Sequence, residues 1–137
     1  MHVHGTFTEY AGLGVLLNLP VFGGMPGTYD ASGYTGIKFW AKGTPSYMQV
    51  RGQMPSTESV SNGGTCMVST CTPNLYLLSS LSTSWTQITI PFSYLTGGVA
   101  TPFKPSTVWS IEFGPYNYFG DLDDTFDIWI DDLTFYK

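Results

Sequence analysis

Residues able to do chemistry are few in this chain. Glutamate occurs only at positions 9, 58 and 112, histidine at 2 and 4, and cysteine at 66 and 71. The densest acidic point is Asp131-Asp132, in FDIWIDDLTFYK. Such a doublet could cleave a glycosidic bond, hold a hard cation, or mark a bend in a strand. Acid and base must face each other across the bond they break. Neighbours on a strand point to opposite faces, so this pair cannot flank one bond. If the strand is bulged, Asp131 points to solvent and Asp132 accepts backbone N–H bonds. Asp121, Asp123 and Asp124 cluster in a turn-rich stretch, as turn formers or a weak cation site. His2 and His4 share one strand face and would bind copper or zinc only with a third ligand. Otherwise they are neutral surface histidines.

A second kind of chemistry is recognition. In SYMQVRGQMP, Met48, Val50 and Met54 alternate with Tyr47, Gln49, Arg51 and Gln53. The first set reads as core. The second gives one sheet face a ring and three long planar polar groups. Flat apolar faces beside planar hydrogen-bonding groups are what a hydroxylated ring requires. In VWSIEFG, Ile111 and Phe113 read as core, which turns Ser110 and Glu112 outward. If these strands are neighbours, Glu112 lies beside Arg51. The two either bond each other as an exposed cross-strand pair or bind ligand hydroxyls. Tyr76 is expected to extend the same face, and Tyr116, Tyr118 and Phe119 to rim it. Trp40 and Trp129 are out of phase with the core residues of their own strands. They are expected together on the outer face of the other sheet, as a flat second-choice binding surface or as packing under a neighbouring segment. Trp85 and Trp109 read as structural.

The elements that position these residues are strands. No stretch keeps helical periodicity for three turns, and 16 Gly with 9 Pro punctuate the chain. Apolar alternation predicts strands at 2–9, 11–19, 34–42, 46–54, 74–79, 84–92, 108–114 and 125–136. Eight strands without a helix predict an all-β fold, a two-sheet antiparallel β-sandwich of jelly-roll type, as one domain over 1–137. Ile37, Phe39 and Ala41, and Phe126, Ile128 and Ile130, are further core positions. The long irregular segment 55–73 holds Cys66 and Cys71. A disulfide closing that loop is the favoured reading, with two free thiols as the alternative. The disulfide implies an oxidising compartment.

Composition excludes several partners. Charged residues make up 11% and aromatics 16%, with a formal net charge of −5. Five cations cannot form a basic patch, so nucleic acid is not an expected partner. No apolar run approaches the roughly 18 residues of a membrane-spanning helix. The start carries no signal-peptide pattern. The expectation is therefore a secreted, monomeric module in mature, excised or N-terminally truncated form.

YTGIKFWAKG, the Cys-x4-Cys loop, SWTQITIPFSYL, VWSIEFG and FDIWIDDLTFY occur in this order. Together they resemble the non-catalytic carbohydrate-binding modules with a galactose-binding-like β-jelly roll, attached to bacterial cellulases and hemicellulases. The resemblance is to family 11-like modules. The resemblance implies binding of a plant cell-wall polysaccharide (β-glucan, xyloglucan, mannan or xylan type) and no catalysis. It also implies a structural calcium ion held by Asp131 or Asp132 with oxygens near the N-terminus. The rival classes are a small jelly-roll glycoside hydrolase or polysaccharide lyase, and a structural or adhesion domain.

Overall fold

The computed structural model describes residues 1–7, 11–19, 27–45, 47–100, 102–116 and 124–137, with Phe7 and Asp124 by backbone alone. Eight strands follow one another: β1 (His2–Phe7), β2 (Leu13–Leu16), β3 (Gly36–Gly43), β4 (Met48–Gln53), β5 (Asn74–Leu78), β6 (Thr86–Pro91), β7 (Ser110–Pro115) and β8 (Asp124–Tyr136). All eight coincide with runs of alternating or β-rich residues. Four single 3-10 turns are the helical elements among the described residues.

The strands form two four-stranded antiparallel sheets, ordered β1-β8-β3-β6 and β2-β7-β4-β5. Neighbours distant in sequence give the crossed connectivity of a jelly roll. The inner faces meet through Ile37, Phe39, Ala41, Ile90, Phe126, Ile128 and Ile130 on one side and Met48, Val50, Ile111 and Phe113 on the other, all buried. Phe39 and Phe113 join the two layers edge to face, with ring centroids 4.9 Å apart. Offset or edge contact is the favourable geometry for two rings.

The Asp131-Asp132 doublet is a β-bulge. Lys38 pairs with Thr134 and Trp40 with Asp131, so a step of two residues on β3 meets a step of three on β8. Asp132 takes a φ of 49°, a left-handed conformation that Asp tolerates better than most side chains. Its N–H donates to Asp131 Oδ1 at 2.9 Å. The extra residue has a packing consequence. Before the bulge the even positions 126, 128 and 130 face inward; after it, Leu133 and Phe135 pack against the core. Regular alternation carried through the doublet, with no bulge, would turn the last two outward.

Candidate functional site

The outer face of the β2-β7-β4-β5 sheet is a set of transverse rows fixed by strand pairing. Arg51 lies opposite Glu112 on β7 and Leu75 on β5, and Glu112 lies opposite Gly14 on β2. Gln49 lies between Gly114 and Leu77, and Gln53 opposite Ser110. Beyond the strand ends, the Tyr116 N–H donates to the Tyr47 carbonyl at 2.9 Å and carries the row pattern one step further. Directly opposed residues share a face. Seven of the sequence-predicted residues are thus placed in one sheet or at its margin, and Tyr118 and Phe119 lie outside the described residues.

The residues play unequal parts. A surface hollow of about 380 Å³ is lined by Gly12, Leu13, Gly14, Arg51, Gln53 and Glu112. Arg51, Gln53 and Glu112 are therefore the polar groups presented to a ligand. Gln49 is only 5% exposed. Its amide donates to the Pro115 carbonyl at 3.0 Å, and its oxygen accepts from Arg51 Nε at 2.9 Å. It braces the guanidinium and is too buried to be a principal ligand contact. Gln53 is held at the other end of the row. Its amide donates to Glu58 Oε2 at 3.1 Å, and its oxygen accepts from the Thr57 hydroxyl at 2.9 Å. Ser110 Oγ donates to Glu112 Oε1 at 3.0 Å and orients that carboxylate.

Tyr76 requires correction. It pairs with Val50, a fully buried residue, and therefore faces inward. It packs against the core and stacks on Tyr94 with centroids 6.3 Å apart. The apolar groups that β5 presents on the groove face are Leu75 and Leu77, which sequence reasoning missed. NLYLLS offers an apolar residue at four successive positions, so alternation gave no phase there.

The walls come from chain that crosses the sheet. A Cβ added to Gly114 would lie 2.4 Å from the Ala11 carbonyl oxygen, so the segment before β2 passes close over β7. The other wall is the loop between β4 and β5. Its Cys66–Cys71 disulfide is formed, with Cα atoms 6.1 Å apart. Glu58 ties its first turns together, accepting from the Ser59 N–H at 3.0 Å and Asn62 Nδ2 at 2.8 Å.

The opposite sheet carries the tryptophans. Trp129 and Trp40 share its outer face, as expected from alternation. His2 stacks on Trp129 with centroids 3.6 Å apart, and Lys42 reaches the Trp129 ring at 5.0 Å. Trp85, read from sequence as structural, is 42% exposed on this face, whereas Trp109 is buried as expected. His2 is taken up by Trp129 and by Asp127, whose Oδ1 lies 2.7 Å from His2 Nε2.

For a metal, the fit is incomplete among the described residues. Asp131 and Asp132 are exposed, and no group of three His, Cys, Asp or Glu is gathered there or elsewhere among those residues. Calcium takes six to eight oxygens, more than this set supplies.

The family profile described as carbohydrate binding domain 30 matches residues 21–137. Among solved structures, the chain is similar to the family 11 carbohydrate-binding module of a cellulosomal cellulase of Clostridium thermocellum. That match has a TM-score of 0.55 at 16% identity and covers 98% of this chain and 86% of that one. At this identity the likeness shows the fold. No curated protein matches the chain.

Proposed function

Because the chain belongs to the carbohydrate binding domain 30 family, we propose that it holds a β-linked plant cell-wall polysaccharide along the outer face of the β2-β7-β4-β5 sheet, without chemistry of its own. Carbohydrate binding follows from the family. The polysaccharide class, of β-glucan, xyloglucan, mannan or xylan type, and the groove are our reading. The observation that carries it is the Arg51–Glu112 row: a cation and an anion on facing strands, lining one open hollow of about 380 Å³ with backbone glycines at its edge. Charged groups form the stronger hydrogen bonds to hydroxyls. The glycines let a ring approach the sheet, and Leu75, Leu77 and the half-buried Tyr47 and Tyr116 supply apolar contact.

Binding without catalysis is supported, among the described residues, by how Asp131, Asp132, Glu58 and Glu112 are used. Asp131 and Asp132 build the bulge. Both Glu58 oxygens accept bonds within the loop, and Glu112 accepts from Ser110. Hydrolysis needs two carboxyl groups flanking a bond, one as acid and one as base or nucleophile. The fold neighbour is a module of a cellulosomal cellulase, and we infer a similar service here: holding an attached enzyme to its substrate outside the cell. The disulfide accords with an oxidising compartment. Affinity gel electrophoresis against soluble β-glucan, xyloglucan, mannan and xylan, paired with a reducing-sugar assay, tests the reading. Retardation by at least one glycan with no release of reducing ends supports it. Release of reducing ends would establish an enzyme, and no retardation by any of the four would end the polysaccharide reading.

A further inference from the structure

The outer face of the β1-β8-β3-β6 sheet holds a second hollow, on the side of the sandwich away from the groove. Strand pairing sets His2 and Lys42 on either side of Trp129. The pairing of Ala41 with Thr86 brings Trp85 beside Lys42. The Lys42 ammonium lies 5.1 Å from the Trp85 ring centre and 5.0 Å from that of Trp129. Stacked groups therefore hold a cation in a fixed position on an exposed sheet face. Next to this row is a hollow of about 150 Å³, lined by Lys42, Gly43, Thr44, Thr83, Asp127 and Trp129.

The lining has the chemistry of a sugar site. One oxygen of Asp127 bonds His2; the other is open to accept from ligand hydroxyls. The Lys42 ammonium makes no ion pair among the described residues and can donate. Thr44 and Thr83 are exposed hydroxyls that both donate and accept. Trp129 lines the hollow with the part of its ring left between His2 and Lys42, and Trp85 and Trp40, at 42% and 38% exposure, add apolar surface on the same face. The volume is well below the roughly 300–1,000 Å³ of sites that enclose drug-sized ligands. It suits one ring or a chain end. The carboxylate and the ammonium balance in the lining, which suits a neutral sugar.

We propose that this hollow is a second carbohydrate site, taking a single neutral pyranose unit between Asp127, Lys42 and the Trp129 ring. The inference rests on the reading of the chain as a carbohydrate-binding domain, but it is independent of the groove. The two sites lie on opposite sheets, so one molecule can engage two glycan chains, or two parts of one network, and gain avidity from the linkage.

All four tryptophans are among the described residues, and only Trp109 lies outside the outer face of this sheet. Their indole N–H signals, assigned by Trp→Phe variants, therefore report on it directly. Cellotetraose, xylotetraose and mannotetraose are titrated into the wild type, Arg51→Ala and Asp127→Asn while indole and backbone amide signals are followed. The proposal expects the Trp85 and Trp129 indoles to move with at least one sugar, equally in Arg51→Ala. In Asp127→Asn, a nearly isosteric change, the midpoint at those indoles should rise at least tenfold while the groove amides of Glu112 and Gly114 still respond. Static indoles with moving groove amides would overturn the second site and leave the groove standing. Moving indoles with static groove amides would do the opposite. Indole shifts unaltered in Asp127→Asn would also overturn the proposal, and no shift at either face would overturn both readings.

Discussion

Gln49 and Arg51 act as a unit, since the amide of one fixes the guanidinium of the other. Their variants should differ in kind. Arg51→Ala removes a half-buried outward side chain, so it should leave the melting temperature nearly unchanged. It should weaken binding of the preferred glycan about tenfold or more, about 1.4 kcal/mol, read by isothermal titration. Gln49→Ala removes a nearly buried amide that serves Pro115 as well as Arg51. It should lower stability by about 1–3 kcal/mol, the cost of stranding buried polar partners, and weaken binding through a misplaced guanidinium. Chemical denaturation of the two variants separates these effects. Equal stability loss in both would contradict the division of labour. Sequence alternation found the face these residues share. It could not find their depth, because Gln49 is buried on the outer side of its own sheet. Nor could it phase Tyr76, which lies between Leu75 and Leu77, so its pairing with Val50 is what reveals the inward direction.

The bulge and the disulfide are properties of elements. Inserting one alanine after Asp132 adds a residue to β8 and puts Leu133 and Phe135 out of phase with the core. Losing burial of two such side chains, at about 1.5–3 kcal/mol each, should destabilise the fold by about 3–6 kcal/mol in urea unfolding. Asp132→Gly should be tolerated, because glycine adopts the positive φ freely. An insertion as stable as the parent would mean that the doublet does not set the phase of the strand. The same account predicts an unchanged melting temperature with EDTA or with added calcium. A rise with calcium would show that an ion binds the folded state. For the loop, reducing Cys66–Cys71 should leave the sandwich folded, since the bridge closes a short segment and stabilises globally only a little. Hydrogen exchange should quicken in 55–73, and glycan affinity should fall through the Gln53–Glu58 contact. The doublet's break in alternation was visible in sequence. The bulge itself depends on which β3 residues it meets, a long-range fact that a strand's own residues do not carry.

At the scale of the molecule, the sequence is most readable where one face is buried. Ile37, Phe39, Ala41, Ile111, Phe113, Ile128 and Ile130 alternate cleanly, and each is buried as expected. The eight-strand, two-sheet architecture follows from them. Surfaces are less readable, because an outward residue's role depends on what crosses over it. Trp85 and Trp129 illustrate this: their surroundings are set by β1, β3 and β6 meeting on one face. With 11% charged residues and a net charge of −5, the molecule presents hydroxyls, amides and rings to its surroundings, as a partner for neutral glycans should. The most direct measurement of the central claim is a titration of wild type and Arg51→Ala with whichever of β-glucan, xyloglucan, mannan or xylan retards the wild type, with groove amide signals followed by NMR. Signals of Glu112, Gly114 and Leu75 that shift in the wild type, with a midpoint displaced about tenfold or more in a folded Arg51→Ala, are the predicted result. An unshifted midpoint in Arg51→Ala, or groove signals that stay still while the glycan binds, would place recognition elsewhere on the molecule and contradict the account.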